Sequence, residues 1–441
     1  MRCAAQDHMG TGEGLTSGRR TTAILITSAL AMRAAVLLSA GEPWNPAVWE
    51  AWTIEPDSHG YMALAGDLSD GVQDSASTRT PGYPVFLLAS GAGSETTIPA
   101  VALQQLVDIA TAVLAGLMAR RAGCTRWRTA IVVYLLLPAP AVASSRILPD
   151  TILALVAAAT CLVWLGTPRP GRASSTVARY CAIGLLLSAG ALVKPVLLFA
   201  PAVYLVLALF VEKGKLSTRA LAALAMLAAS STGPLLWRAH NREAFGLDAV
   251  SAQDGYEQAG RIWVLTGRAT QLEFLTVVKD SVDMLATGDG TVDFGLRNRI
   301  YREMALSELA AHPVEVLIPH AASWPRFFST GIGGTLRYLG LPQESPLSLP
   351  LKAAGALLIL SLPAGFFAGV VVRRVRSRLG PLLALAFAWM AVMSLVHGPL
   401  AGPRYSLTFL PVLCAAGISS LCLLLRRRTD AAAGTKGASA Q

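Results

Sequence analysis

The sequence predicts an all-α polytopic integral membrane protein with about ten transmembrane helices. Composition and the recurrence of apolar runs lead to this fold class. Hydrophobic residues make up 53% of the 441 residues, charged residues make up only 15%, and the mean hydropathy is +0.51. Soluble domains carry about 25% charged residues, so this composition excludes an ordinary soluble protein. A bilayer is crossed by about 20 mostly apolar residues, and runs of this kind recur along most of the chain.

Ten segments are apolar enough to be transmembrane helices. They cover residues 23–40, 98–118, 130–144, 150–166, 178–192, 195–211, 219–237, 350–372, 380–397 and 405–425. Two further apolar segments, 81–92 and 314–330, are interrupted by Pro, Arg and Gly, which predicts interfacial or re-entrant structure and a total of 10–13 spans. Arg33 lies inside the first segment. Because a charged side chain inside a bilayer is unfavourable in free energy, we expect Arg33 to pair with a carboxylate such as Asp108.

The distribution of basic residues predicts the orientation. If the chain crosses the membrane ten times, the following segments lie on the same side of it: 1–22, 119–129, 167–177, 212–218, 373–379 and 426–441. With Arg179 and Arg219 at the loop edges, these segments hold 21 of the 37 basic residues and only four of the 27 acidic ones. Basic loops stay in the cytoplasm, so we expect a cell-membrane protein with both termini cytoplasmic. Topology and anionic lipid explain the basic clusters, and no nucleic acid partner is predicted.

The same topology divides the chain into regions. They are a cytoplasmic tail (1–22), an N-terminal transmembrane module (23–237) with its first outer loop (41–97), an extracytoplasmic segment (238–349), C-terminal transmembrane helices (350–425) and a second cytoplasmic tail (426–441). We expect the segment 238–349 to form a small helical or mixed cap over the site. The six cysteines fall in helices or cytoplasmic segments, which excludes a disulfide framework outside. A nucleotide-driven pump is not predicted, because no phosphate-binding glycine loop is present.

Two polar motifs stand in the first outer loop. Asp57 follows Pro56, and apolar residues at three- and four-residue spacing from Tyr61 to Leu68 predict a short amphipathic helix after it. Asp57 is therefore either a helix-capping residue or a functional carboxylate. Arg79 precedes a Pro-Gly turn that leads into an apolar segment, so it is either an interface anchor or an anion ligand.

Further charged residues fall at outer turns between helices. Asp150 follows Leu148-Pro149 and either complements a helix dipole or acts chemically. Lys194, one of only six lysines, lies at membrane depth, where a charge indicates function unless it snorkels or is paired. Arg404, in the turn after His397, could also be an interface anchor. Taken together with the first-loop residues, this set fits a lipid-linked phosphate, which Arg binds with a fork and Lys as a point charge.

Several short motifs follow one another in order along the chain. They are Asp57-Ser58 with Tyr61 and Leu64-Ala65, Arg79-Thr80-Pro81-Gly82-Tyr83-Pro84, Leu148-Pro149-Asp150, Leu192-Val193-Lys194-Pro195, and Arg404-Tyr405 with Pro411. In this order they resemble the GT-C class of membrane glycosyltransferases, and more closely the bacterial relatives of protein O-mannosyltransferases and lipid A aminoarabinose transferases. The segments Trp237-Arg238-Ala239-His240-Asn241 and Ala311-His312-Pro313 also look like that group. The likeness spans residues 20–425.

The resemblance implies an enzyme that moves a sugar from a polyprenyl-phosphate donor to a hydroxyl acceptor on the extracytoplasmic side. The acceptor would be a protein, a lipid or a polysaccharide. Asp57 would be the catalytic base of an inverting transfer, and Asp150 would position the acceptor or the Asp57 region. The residues implied to hold the leaving phosphate are Arg79, Lys194, Arg404 and, as a weaker candidate, His397. The residues implied to position substrate are Tyr61, Tyr83 and Tyr405.

Two other classes of function stay open at this point. A transporter or lipid flippase would place ionisable groups near the midplane and show repeat symmetry. A non-catalytic assembly subunit of a cell-envelope complex would carry these residues without using them. The first loop has no adjacent pair of aspartates, only Glu55-x-Asp57, and this predicts metal-independent chemistry without a cofactor.

Overall fold

The computed structural model describes residues 46–71, 79–92, 96–166, 173–288, 291–323, 348–398 and 403–438, and isolated helical positions between 23 and 34. Predictions on residues 1–22, on most of 23–40 and on 324–347 lie outside the described residues. The described chain is almost entirely helical, with one short antiparallel hairpin formed by β1 (Thr287–Gly288) and β2 (Thr291–Val292).

The first half of the chain contains both short and long helices. They are α1 (Pro46–Thr53), α2 (Pro56–Asp70), α3 (Gly82–Ala89), α4 (Ile98–Arg121), α5 (Trp127–Leu136), α6 (Pro138–Ser144), α7 (Asp150–Trp164), α8 (Ala173–Val193) and, after a 3₁₀ turn Pro195–Phe199, α9 (Pro201–Val206). Proline occupies the first turn of several of these helices, where its missing amide hydrogen costs nothing and its fixed φ suits the helix.

The second half continues with one long helix, a group of shorter helices and a final set of long ones. They are α10 (Leu216–Phe245), α11 (Gln253–Leu265), α12 (Gln271–Glu273), α13 (Lys279–Leu285), α14 (Phe294–Ala311), α15 (Pro313–Ala321), α16 (Ser348–Val371), α17 (Arg373–His397), α18 (Pro403–Ser406) and α19 (Leu410–Ala438). Helices α8 and α10 pack along each other, and α19 packs against α16, α17 and α4.

The number and length of the apolar helices fit a polytopic membrane protein. Within the described residues, five helices are long and apolar enough to cross a membrane: Ile98–Arg121, Ala173–Val193, Leu216–Phe245, Lys352–Val371 and Arg373–His397. The bent pair α5 and α6 makes a sixth if it is counted as one span, and Asp150–Trp164, Pro195–Val211 and Leu410–Leu425 are shorter apolar helices. Each predicted segment after residue 40 coincides with one of these elements, so the fold class is confirmed, whereas the count of ten spans stays a prediction.

The structure differs from the sequence prediction at residues 130–144, which were expected to form one helix. Helix α5 ends at Leu136, Leu137 is extended with φ −69° and ψ 129°, and α6 begins at Pro138. Proline disfavours a helical conformation for the residue before it and clashes with the carbonyl one turn earlier. The chain therefore bends by 63° shortly before the turn that carries Asp150.

The ionic pair expected for Arg33 is present in the core. The Arg33 guanidinium donates to the Asp108 carboxylate and, through Nε, to the Leu135 carbonyl oxygen at 3.1 Å. The Tyr134 hydroxyl donates to Asp108 Oδ1 at 3.1 Å, and the Arg33, Asp108 and Tyr134 side chains are buried. A buried pair with these additional hydrogen bonds is structural, as the sequence prediction favoured.

Helices α11 to α15 and the hairpin form a separate layer, called here the cap. The cap has a small core of its own, made of Ala259, Phe274, Val282, Tyr301 and Ala305. It contacts the membrane helices where α15 packs against α17 and where Arg261 Nη1 donates to the Val396 carbonyl oxygen at 3.1 Å. The cap therefore lies against one end of α17, next to the turns that carry the charged residues.

Candidate functional site

Two turns that are distant in sequence are joined at the base of the site. The Ser58 hydroxyl accepts a hydrogen bond from the Glu55 amide at 2.8 Å and donates one to the Ile147 carbonyl oxygen at 2.8 Å. Ser58 belongs to the first turn of α2, and Ile147 precedes the start of α7. These bonds fix Asp57 on α2 beside Asp150 on α7.

Five residues singled out from the sequence form one ionic network. Arg404 lies at its centre, where Nε donates to Asp150 Oδ2 at 2.8 Å and Nη2 donates to Asp57 Oδ2 at 3.1 Å. Arg79 Nη2 reaches Asp57 Oδ1 at 3.2 Å, and Lys194 Nζ reaches Asp150 Oδ1 at 3.4 Å. The network joins three cations to two carboxylates and so carries one positive charge in excess.

Asp57 is the accessible carboxylate of this network. Its side chain is 43% exposed, whereas that of Asp150 is 5% exposed. Burial raises the pKa of Asp57, but the positive charges of Arg404, Arg79 and Lys194 together hold that pKa below its ordinary value. Asp57 is therefore ionised at neutral pH.

The three tyrosines expected to position substrate occupy different places. The Arg79 guanidinium lies 4.7 Å from the centre of the Tyr61 ring, and Lys194 Nζ lies 5.4 Å from the centre of the Tyr405 ring. The faces of Tyr61 and Tyr405 thus hold two cations of the network. Tyr83 is fully buried and meets Tyr61 edge-on, with 5.0 Å between ring centroids. Tyr83 supports Tyr61 from behind.

A cavity of about 630 Å³ opens beside the network. Asp57, Arg79 and Lys194 line it, whereas Asp150 and Arg404 are not among its described lining residues. A second wall is apolar and comprises Pro195, Val196, Leu198, Phe199, Val316, Leu317, Leu395 and Val396. Because the Leu198, Phe199 and Leu317 side chains are also exposed, this wall continues onto the outer apolar surface of the protein.

The third wall comes from helix α11 of the cap, and the sequence analysis missed it. The polar lining residues of this helix are Gln253, Asp254, Glu257, Gln258 and Arg261, and Ile262 of the same helix also lines the cavity. Their spacing places them on one helical face, and this pattern could have been read from the sequence. The sequence contains no signal that places that face over Asp57, because the contact depends on how the cap packs.

His397 and the acidic residues complete the site. The buried His397 ring stacks on Tyr405 with 4.1 Å between centroids, and His397 lines the cavity close to Lys194. Glu55 is engaged by an ion pair with Arg146. Among the described residues, no group of three or more His, Cys, Asp and Glu side chains could hold a metal ion. Metal-independent chemistry stays a prediction.

Comparisons with known proteins give one weak structural likeness. No family model matches the chain, and no curated protein matches it. The solved structure of ArnT from Cupriavidus metallidurans in the apo state is similar over 89% of this chain and 78% of that chain, with 15% sequence identity and a TM-score of 0.33. The function proposed below therefore rests on the side chains of the site.

Proposed function

We propose that this protein is a membrane glycosyltransferase that moves a sugar from a polyprenyl-phosphate donor to a hydroxyl acceptor on the extracytoplasmic side. The observation that carries the proposal is the ionic network beside the cavity. It exposes Asp57, Arg79 and Lys194 to the cavity and keeps an excess of one positive charge. A phosphodiester carries one negative charge and so complements this excess.

The charge of the site stays balanced throughout such a reaction. The bound donor neutralises the network. When the bond between the sugar and the phosphate breaks, the phosphate becomes a monoester with a second negative charge, while Asp57 gains the acceptor proton and becomes neutral. Arg79 and Lys194 stabilise the charge that develops on the departing phosphate, and this kind of electrostatic stabilisation is usually the largest contribution to catalysis.

Asp57 is suited to the role of base. Its carboxylate is ionised at neutral pH and is the accessible one of the pair. It would accept the proton of the acceptor hydroxyl while the hydroxyl oxygen attacks the anomeric carbon from the side opposite the phosphate, which inverts the configuration there. Arg404 and Asp150 lie behind the cavity wall and would position Asp57 and Lys194.

The apolar wall of the cavity supports a lipid-linked donor. Leu198 and Phe199 extend the cavity surface to the outside of the helices, where a membrane would surround them. The first isoprenyl units of a polyprenyl chain would pack on this wall, since burying apolar surface stabilises by about 25 cal/mol per Å². The phosphate would then lie at the boundary between the apolar wall and the cations.

Replacement of the proposed base tests the function. Purified protein in lipid vesicles is supplied with radiolabelled polyprenyl-phosphate mannose, arabinose and related donors, with a membrane extract as the source of acceptor. We expect transfer by the wild type and a loss of about 10²–10⁴-fold in the Asp57→Asn variant, since this is the usual contribution of a general base.

Asp70→Asn provides the matched control, because Asp70 is an exposed residue at the other end of the same helix α2. We expect it to transfer sugar at the wild-type rate. Transfer at the wild-type rate by Asp57→Asn would show that Asp57 is not the base. Absence of transfer from every donor by the wild type would contradict the proposed activity.

A further inference from the structure

Helix α11 has a polar face and an apolar face, and Ile262 lies at the border between them. Ala259 is buried in the cap core together with Phe274 and Tyr301. The opposite face presents Gln253, Asp254, Glu257, Gln258 and Arg261 to the cavity. Five polar side chains on one helical face, turned towards the cavity, form a surface rich in hydrogen-bonding groups.

Asp254 differs from the other charged residues of this face. Glu257 accepts a hydrogen bond from Arg261 at 2.8 Å, and Arg261 also donates to Val396, so these two side chains are held. The Asp254 carboxyl accepts a hydrogen bond from the Ser251 backbone, and no cation of the described chain forms an ion pair with it. Burial and the negative charge of Glu257 raise the pKa of Asp254 to about 7. A carboxyl in this setting has hydrogen-bonding capacity left for a ligand in the cavity.

The covalent structure of the proposed donor determines which part of the donor contacts α11. Its sugar is bonded directly to the phosphate, so a phosphate at Arg79 and Lys194 places the sugar inside the cavity. The polyprenyl chain occupies the apolar wall, and the acceptor approaches beside Asp57. The largest remaining group of polar lining residues is the cavity face of α11.

We propose that the cavity face of α11, with Asp254 and Gln258 as its main hydrogen-bonding residues, binds the hydroxyl groups of the sugar on the lipid donor. This inference rests on the proposed function and adds the chemical class of the sugar. Carboxyl and amide groups complement neutral hydroxyl groups, because both partners donate and accept. Glu257 is paired with Arg261, so Asp254 is the acid of this face that, when ionised, disfavours a sugar with its own carboxylate, because like charges repel at close range.

Binding measurements separate the sugar contribution from the phosphate contribution. The full-length protein in nanodiscs is titrated with polyprenyl phosphate and with the polyprenyl-phosphate derivatives of mannose, glucose, arabinose and glucuronic acid. We expect at least one neutral-sugar lipid to bind about tenfold more tightly than polyprenyl phosphate, which corresponds to one or two hydrogen bonds. The glucuronic acid lipid should bind no more tightly than polyprenyl phosphate.

Two variants and one control identify the residues responsible. Asp254→Ala and Gln258→Ala should each lose most of the sugar-dependent affinity and keep the wild-type affinity for polyprenyl phosphate. Gln258 is exposed, so its variant tests the inference even if Asp254→Ala folds poorly. Asp280→Ala removes an acid of the cap that is 76% exposed and does not line the cavity, and it should behave as the wild type.

The outcomes distinguish the inference from the function on which it rests. A wild type that binds none of these lipids would overturn both. A wild type that binds polyprenyl phosphate but gains no affinity from any neutral sugar would overturn the inference alone. The same conclusion would follow if both variants kept the sugar-dependent affinity, or if the glucuronic acid lipid bound as tightly as the neutral-sugar lipids.

Discussion

At the scale of single residues, the cations around Asp57 have two opposing effects. They keep its carboxylate ionised, and they also weaken it as a base, because the pKa of Asp57 lies below its ordinary value. A donor phosphate would share the charges of Arg79 and Lys194 and so restore part of the basicity of Asp57. The base would become stronger when the donor is bound.

Removal of one cation should therefore change the pH dependence of transfer. Burial raises the pKa of Asp57, and Arg404 is the largest of the effects that lower it. Arg404→Gln should raise this pKa. Because the base acts when deprotonated, activity falls as the pH drops through the pKa, and the acid limb of kcat/KM should move to higher pH in the variant.

The measurement is kcat/KM for the lipid donor between about pH 2 and pH 8, a range that begins below the ordinary pKa of Asp because the pKa of Asp57 lies lower still. Arg79→Gln should shift the limb in the same direction by a smaller amount, because Arg79 is the second of the charge effects. Arg268→Gln, a cap variant whose side chain is 57% exposed, serves as the control. An acid limb at the same pH in wild type and Arg404→Gln would show that Asp57 does not set it.

At the scale of helices, the sequence predicts elements better than it predicts their contacts. The proline before Asp57 and the spacing of the following apolar residues predicted α2, which spans Pro56–Asp70. The pairing of Asp57 with Arg404 crosses 347 positions, and no local pattern encodes it. Helix α11 shows the same limit. Its polar face can be predicted from the sequence, but its position over the cavity depends on the packing of the cap.

Close packing between α3 and α8 gives a prediction at this scale. A Cβ atom on Gly82 would lie 2.7 Å from the Leu192 carbonyl carbon and 2.7 Å from the Val193 nitrogen, both of which are backbone atoms. Gly82→Ala should therefore push α3 away from α8 and lower the free energy of unfolding by about 1–3 kcal/mol, as overpacking does. The measurement is the unfolding midpoint in mixed detergent.

Gly66→Ala is the matched helical control. A Cβ atom at Gly66, on α2, would meet no atom within 4 Å. Because alanine favours helix more than glycine does, this variant should be as stable as the wild type or slightly more stable. Equal stability of Gly82→Ala and Gly66→Ala would contradict the close packing of α3 against α8.

At the scale of the whole molecule, the site lies between two layers that meet where α15 packs against α17. The membrane layer provides the ionic network and the cap provides α11, and the cavity exists only where the two meet. Besides the bond from Arg261 to Val396, the Ser323 and Ser394 hydroxyls lie 3.1 Å apart across this boundary. The geometry of the cavity therefore depends on how α15 packs against α17.

Gly398 allows this close packing, and its replacement should weaken the contact between the cap and α17. Its φ of +55° is rarely adopted by other residues, and a Cβ atom there would collide with the His320 ring of α15. Gly398→Ala should push α15 outwards, speed amide hydrogen exchange in Pro313–Ala321 and raise KM for the lipid donor, because Val316 and Leu317 line the cavity.

Gly267→Ala separates this collision from backbone strain, since Gly267 has a φ of +74° but no atom within 4 Å of the added Cβ. Both variants should lose about 1 kcal/mol of stability from the strained backbone, but only Gly398→Ala should change exchange in α15. Equal exchange in the two variants would mean that the cap is held elsewhere, and that the cavity wall formed by α11 is positioned independently of α15.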